Sequence, residues 1–284
     1  MPKPKSNTRR TGGGARRRRA ARRPLLLLVG GAGRMGRRLA PLFRKKGFRV
    51  LIADPAGRVP GYAAADFSAA ASADVVCVAA SLDRTAAALE AVLERSPRGL
   101  VFDIASLKTP LLPLFSRARG AGVAVASAHP MFGPSAPFKG NDFLVLDCGD
   151  AAAAARLTRL FAGEGLRIRR MPVAEHDPWA ARTMGLAHVA ALACAGALER
   201  LKVDAFDVDG RATTSFRRLL DLVASLLDQD AVLTRTIQTQ NPDAQRVAEV
   251  LAGEVEAFRA TLFAPDPGPL AARIAALRRA LGRP

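Results

Sequence analysis

A chain of 284 residues that is 49% hydrophobic can bury a sizeable core and is long enough for two modest domains. Its three cysteines, Cys77, Cys148 and Cys194, are widely spaced. They match no metal-ligand spacing and cannot all pair, which argues against a disulfide scaffold or a metal site and fits a reducing, cytoplasmic setting. The net charge of +18 invites a nucleic-acid reading, but residues 1–23 supply ten Lys or Arg and no acid, leaving about +8 for the rest.

That segment also holds Gly12, Gly13 and Gly14 and shows no apolar periodicity, so a disordered basic tail is expected over 1–23. Charge without aromatic residues supports at most weak contact with polyanions, and no specific nucleic acid is expected as a partner. Arg22 and Arg23 precede the apolar run Leu25–Val29, as in a secretory signal, but the run is too short and leads directly into glycines. No uninterrupted apolar run approaches the roughly 20 residues that span a bilayer, so no membrane partner is expected.

Leu25 to Val29 reads as a central parallel strand covered on both faces. It ends in Gly30-Gly31-Ala32-Gly33-Arg34-Met35-Gly36, which contains the spacing Gly31-x-Gly33-x-x-Gly36. A helix pattern follows through Leu39 and Phe43, then a second strand from Phe48 to Ala53, closed by Asp54. In such a unit Gly31 is expected to make the tight turn and Gly33 to admit a pyrophosphate, while Gly36 lets helix and strand pack closely. The pyrophosphate then rests on the helix N-terminus, lined by Ala32, Arg34 and Met35. Asp54 is placed to accept hydrogen bonds from the adenosine ribose and would repel a 2′-phosphate, which favours NAD over NADP.

Further strands are expected at Asp74–Ala80, Gly99–Ile104, Val123–Ala126 and Phe143–Asp147, with an edge strand at Leu166–Arg169. Helices are expected over Thr85–Leu93, after Thr109-Pro110, and over Ala151–Phe161. Strand ends carry Ser81, Ser106, Lys108 and His129 to one rim, where open α/β sheets bind ligands. Ser106 has a second reading, as a helix N-cap. His129 sits in Ala128-His129-Pro130-Met131-Phe132-Gly133-Pro134, a stretch stiffened by two prolines. A histidine held there can act as a proton acceptor, or be no more than part of a turn.

Beyond Met171-Pro172 the pattern is helical: Trp179–Leu201, Phe216–Leu227, Ala231–Gln240, Ala244–Phe263 and Leu270–Leu281. The expected architecture is a Rossmann-type doubly wound parallel sheet over 24–171, followed by an all-helical substrate and dimerisation domain over 172–284. Alanine-rich helices such as Ala187–Ala197 pack closely, and a homodimer is expected through them.

From about Leu25 to about Phe263 the chain resembles the prephenate dehydrogenase family. The likeness rests on the Gly31–Gly36 fingerprint, Asp103-Ile104-Ala105-Ser106-Leu107-Lys108, His129-Pro130-Met131-Phe132-Gly133-Pro134, Glu175-His176-Asp177 and Gly185-Leu186-Ala187-His188. The resemblance implies NAD-dependent oxidative decarboxylation of a cyclohexadiene that carries a ring carboxylate, a pyruvyl side chain and an oxidisable hydroxyl. It implies His129 as the catalytic base, supported by Ser106, and His188 at the substrate pocket. It also implies arginines on the helix after Thr213-Thr214 that bind substrate carboxylates: Arg217 or Arg218 fills one place, whereas the next falls at Ser225 or Leu226, and no arginine recurs before Arg235. One branch of the family oxidises 4-amino-4-deoxyprephenate in antibiotic metabolism, which stands as an alternative substrate.

Two other readings compete. A different two-domain β-hydroxyacid dehydrogenase would need a lysine between Trp179 and Leu201, where only Arg182 and His188 carry comparable chemistry. A nucleotide-sensing or nucleic-acid-binding module would use the basic tail and show no turnover.

Overall fold

The computed structural model describes residues 22–203, 208 and 210–282. The tail expected at 1–23 lies outside them except for Arg22 and Arg23. In chain order, β1 (Leu25–Val29) leads through the glycine loop into α1 (Arg34–Lys45), and β2 (Arg49–Ala53) and a short β3 (Ala63–Ala64) follow. Next come β4 (Val75–Val78), α2 (Leu82–Leu93), β5 (Leu100–Asp103), α3 (Leu112–Gly120), β6 (Val125–Pro130), β7 (Asp142–Asp147), α4 (Ala151–Phe161) and β8 (Arg167–Pro172). The helical part contains α5 (Val173–Ala180), α6 (Leu186–Arg200), α7 (Thr214–Leu227), α8 (Ala231–Gln240), α9 (Ala244–Leu262) and α10 (Gly268–Ala280).

The eight strands form one sheet in the order β3-β2-β1-β4-β5-β6-β7-β8. β1 to β6 are parallel, as alternation of strands and helices predicts, but β7 runs antiparallel to β6, and β8 lies parallel to β7. The sheet is therefore mixed, a departure from the all-parallel expectation. The cause is local. A parallel return needs a crossover, usually a helix, and the segment between β6 and β7 carries Gly133, Pro134, Pro137 and Gly140. It folds back on itself instead, closed by the Met131 N–H donating to the Asp142 carbonyl at 3.0 Å.

Each face of the sheet has its own core. One gathers Leu26, Leu28, Phe43, Phe102, Phe143 and Phe161. Phe43, Phe102 and Phe161 meet edge to face there, with centroids 6.0–6.5 Å apart. The other gathers Leu27, Val76, Leu89, Val101, Phe115 and Val125. Side chains alternate along a strand, so Asp103 follows Val101, and Ser127 and His129 follow Val125, on this second face. Asp103 and Ser127 pair directly in register. Towards the strand ends the second core thus turns from apolar to polar while remaining buried.

α5 begins directly after β8, and Val173 packs against this second core. α5 and α6 are joined by a π-helical turn, Ala181–Gly185, into one run from Val173 to Arg200. By length and composition this run could cross a membrane, which sequence inspection for unbroken apolar runs did not detect. Its first turns, however, are bonded into the nucleotide-binding domain, and α6 packs on α7 and α9. The helical domain has a thin core, with Ala191, Val223 and Leu226 buried against Cys194, Ala195 and Leu219.

Candidate active site

The glycine loop shows which glycine does what. Gly30 has φ +80°, and a Cβ there would lie 2.5 Å from the Ala79 carbonyl oxygen. The tight turn is therefore made at Gly30, one residue before the expected Gly31. Gly31 instead leaves space for Ile52, whose Cγ2 would be 2.7 Å from an added Cβ. A Cβ at Gly36 would come within 2.2 Å of the Gly30 oxygen, so close helix–loop packing is Gly36's contribution, as expected.

α1 has Gly33 as its N-cap, with no side-chain cap and no acid in its first turn. Its leading amide groups remain available to an anion. Arg34 is exposed beside them and Met35 half-buried. Asp54 accepts from the Ala32 N–H and from the Ala56 N–H, both at 2.8 Å. It thus anchors the loop to the end of β2, and each carboxylate oxygen keeps capacity for a further donor. The residues fit a dinucleotide: an open helix end for the pyrophosphate, glycines that admit a close approach, and an acid at the ribose position. Ser81 stands exposed at the start of α2, on the same rim.

The second cluster joins groups far apart in sequence. His129 Nδ1 lies 2.9 Å from Nε2 of His176, and His176 Nδ1 lies 2.6 Å from Asp177 Oδ1. Asp177 also accepts from the Lys108 N–H, the Thr109 N–H and the Thr109 hydroxyl, at 2.6–3.0 Å. Asn241 at the end of α8 donates to the Asp177 carbonyl at 2.9 Å, tying α8 to the array. The EHD segment was expected to matter only by resemblance. Its role becomes visible once α5 folds back under the strand ends.

The electrostatics assign the protons. Burial pushes Asp177 up, but the hydrogen bonds from His176 and Thr109 outweigh it and hold the carboxyl at about 2. Asp177 is thus a carboxylate, and His176 Nδ1 must donate to it. His176 Nε2 is then an acceptor, so His129 Nδ1 must donate to His176. That leaves His129 Nε2 as a lone-pair nitrogen, with no protein partner among the described residues. Burial lowers the His129 pKa well below its ordinary value, aided by neighbouring His176 and Lys108 and opposed by Asp177. Burial likewise lowers His176, against the pull of its Asp177 bond. His129 is therefore neutral and proton-accepting at neutral pH.

Lys108 departs from expectation. Its ammonium is fully buried and donates to Asp103 Oδ1 at 2.7 Å and to the Ala128 carbonyl at 2.8 Å. It is a brace between β5 and β6 beside His129, not a rim group free to bind substrate. A lysine on a strand-end loop reads as a ligand group in sequence, and only the opposing Asp103 reveals its commitment. Ser106 lies half-buried on the same loop, and its hydroxyl has no protein partner among the described residues. It caps no helix: the short 3₁₀ turn and α3 begin beyond Lys108 and Leu111.

His188 is buried on α6, and its Nδ1 has no hydrogen-bond partner. Burial lowers its pKa. An unpartnered buried nitrogen is costly unless a ligand satisfies it. Arg217 and Arg218 are exposed on α7. No cluster of metal-ligating groups exists among the described residues.

A Rossmann-type sheet with a glycine loop, an acid closing β2, a buried histidine pair at the strand ends and helices after it defines a nucleotide-binding fold. Residues 58–147 match the family model "Prephenate dehydrogenase, nucleotide-binding domain". The chain is 24% identical over 234 residues to a protein of Methanocaldococcus jannaschii described as "Probable arogenate/prephenate dehydrogenase", covering 78% of this chain and 52% of that one. It is 26% identical over 201 residues to the chloroplastic arogenate dehydrogenase 1 of Arabidopsis thaliana, covering 67% and 30%. The chain spans about half or less of the length of these curated relatives. The Synechocystis arogenate dehydrogenase shares its fold with a TM-score of 0.67 at 19% identity, over 90% of this chain and 98% of that one. Prephenate dehydrogenase from Aquifex aeolicus, solved with hydroxyphenyl propionate and NAD+, gives 0.64 at 17% identity over 90% and 93%. The matched family model, both curated relatives and both solved structures are described as prephenate or arogenate dehydrogenases, and the solved structures share the fold.

Proposed function

We propose that this chain oxidatively decarboxylates a prephenate-type cyclohexadiene with NAD as the hydride acceptor. The observation that carries the reading is the His129–His176–Asp177 array, which leaves one lone-pair nitrogen at the strand ends. The glycine loop and Asp54 supply the cofactor site on the same rim. When bound, NAD accepts the hydride from the ring carbon that bears the hydroxyl.

His129 Nε2 takes the hydroxyl proton as that carbon becomes a carbonyl. The ring carboxylate then leaves as CO₂, its electron pair moves through the ring onto the carbonyl oxygen, and that oxygen takes the proton back from the imidazolium to give the aromatic phenol. Burial keeps His129 unprotonated at rest. Lys108 is paired with Asp103, while the Asp177 carboxylate, bonded to His176, is the charge that opposes the lowering of the His129 pKa. That charge supports the imidazolium once the proton arrives. His176 holds the His129 ring in the tautomer the step requires. Ser106, with its free hydroxyl, supports the substrate contact of His129, and His188 offers its unpartnered nitrogen to the substrate.

A soluble homodimer completes the proposal. Leu201, Val250, Val255, Leu262 and Phe263 stand exposed on the helical domain, and a second copy covering them would remove a large apolar surface from water. Sedimentation of the intact chain tests this, with a monomer as the contrary result. The activity is tested by following NADH formation with prephenate, arogenate and 4-amino-4-deoxyprephenate. Turnover of the 4-amino compound alone would favour the antibiotic-pathway branch, and no turnover with any of the three would overturn the reading.

A further inference from the structure

Asp177 is held from two sides. On the sheet side its carboxylate takes the Lys108 N–H, the Thr109 N–H and hydroxyl, and His176 Nδ1, at 2.6–3.0 Å. On the helical side its backbone carbonyl takes the side-chain amide of Asn241 at 2.9 Å. Asn241 is 5% exposed and closes α8. Its orientation is fixed as well. Oδ1 accepts the Asp243 N–H at 3.0 Å, so Nδ2 is the end that faces the Asp177 carbonyl.

The segment that Asn241 grips has little stiffness of its own. α5 has eight residues, and Pro178 within it has no N–H to donate to the turn before. The π-helical turn Ala181–Gly185 follows at once, and its i→i+5 bonding departs from the regular helix, as at many functional sites. Gln238 lies three residues before Asn241, on the same face of α8. Its amide reaches the Gly185 carbonyl at 3.5 Å. α8 therefore meets this irregular stretch at both ends, closely at Asp177 and loosely at Gly185. The same stretch carries His176, whose Nε2 lies 2.9 Å from His129 Nδ1. Groups that hold a reacting side chain through one intermediary set its orientation and its tautomer.

We infer that Asn241, assisted by Gln238, is a positioning residue for the proton acceptor: through Asp177 it fixes His176, and through His176 the ring of His129. The inference rests on the proposed dehydrogenase reading for its catalytic meaning. Neither amide exchanges a proton in this role. A donor from the helical domain completes a hydrogen-bonded chain that ends on the sheet.

The test uses the full chain with NAD and the variants Asn241→Ala, Asn241→Asp and Gln238→Ala. Asn241→Asp keeps the acceptor for Asp243 and loses only the donor. The readouts are heteronuclear NMR of the imidazole nitrogens, of which the chain has three pairs, and kcat with whichever of the three dienes is turned over. In wild type His129 and His176 should each show one tautomer, with the proton on Nδ1. In the Asn241 variants at least one of them should become a mixture. Their kcat should fall about tenfold to a hundredfold, the cost of a misplaced reacting group, with NAD affinity within about twofold of wild type. Gln238→Ala should move both readouts the same way by less. Val223→Ala removes buried volume from the helical core and is the control: it should lower stability and leave the tautomers unchanged.

Wild-type tautomers or wild-type kcat in a folded Asn241 variant would overturn the inference, and so would the same spectral change in Val223→Ala. If neither Asn241 variant folds, Gln238→Ala decides, and an unchanged spectrum overturns the inference. If wild type turned over none of the three dienes, the dehydrogenase reading would fail on its own, because the imidazole spectra test the hold of Asn241 on the histidines without any substrate.

Discussion

The nucleotide-binding sheet and the helical domain bury their side chains in different ways. The sheet is sandwiched between two cores, and its strand-end polar groups, Asp103, Lys108, His129, His176 and Asp177, are buried and bonded to one another. The helical domain has a small core around Ala191, Val223 and Leu226, while Leu201, Val255 and Phe263 stand in solvent. In the first region precision comes from one chain's own packing. In the second, large apolar side chains have no cover within the described residues. The proposed proton acceptor thus lies where the side chains are held by one another, and the exposed apolar surface lies in the other region.

The largest effect that would sharpen this contrast is on stability. Lys108→Met leaves the Asp103 carboxylate buried without its cation and removes the brace to Ala128. It should cost about 3–5 kcal/mol in chemical denaturation. The exposed Arg117–Glu90 pair at 2.9 Å is the control, and Arg117→Ala should cost less than about 1 kcal/mol. Comparable losses for the two would mean that the sheet's polar groups are not held as described.

Next in size is Asp177→Asn. The amide can offer His176 a donor instead of an acceptor, which reverses the tautomers of both histidines. Turnover should fall about a hundredfold or more with NAD affinity unchanged. An unchanged kcat would separate His176 and Asp177 from the chemistry. Smaller still, Asp54→Ala should weaken NAD about tenfold and narrow the preference over NADP, measured by the KM for each cofactor. A wild type that prefers NADP would contradict the role given to this carboxylate.

The same array sets the response to acid. His129 and His176 bind a proton less readily in the folded chain than in the unfolded one, and so does Asp177. Below about pH 6.5 the unfolded chain therefore takes up more protons, and stability falls as pH drops through the histidines' ordinary range. A second loss follows below about pH 4, as Asp177 is driven towards protonation at about 2. Denaturant midpoints measured across acid pH should show both losses.

Much of the nucleotide site was legible because it is local. A strand, a glycine loop, a helix, a second strand and Asp54 fall within about thirty residues, and each has a short-range signature. Even there the turn residue was displaced by one: Gly30 has the positive φ, and its close approach to Ala79 is a contact between strands that the local motif does not announce. His129 was legible through its proline-flanked stretch, but it lies inside β6, paired with Leu144, rather than in a loop beyond a strand ending at Ala126, because pairing with the reversed β7 extends the strand. The partner of His129 was not legible, since His176 lies 47 residues away and meets it only when α5 folds back. Pro178 within α5 also hid that helix. The reversed β7 escaped for a related reason: an apolar run announces a strand but not its direction.

The proposed chemistry turns on His129 as the proton acceptor, and the most direct test is kcat from neutral pH down to the lowest pH at which the chain stays folded, for wild type and His129→Asn. The substrate is whichever of the three dienes wild type turns over. Wild type should lose turnover towards acid pH, as His129 becomes protonated below its ordinary range, and hold a plateau at neutral pH. The variant should be slower by about 10²–10⁴ and should lack that acid limb, with NAD affinity barely altered. A His129→Asn enzyme with near-normal kcat and the wild-type pH profile would contradict the account and reduce the buried histidine pair to a structural contact.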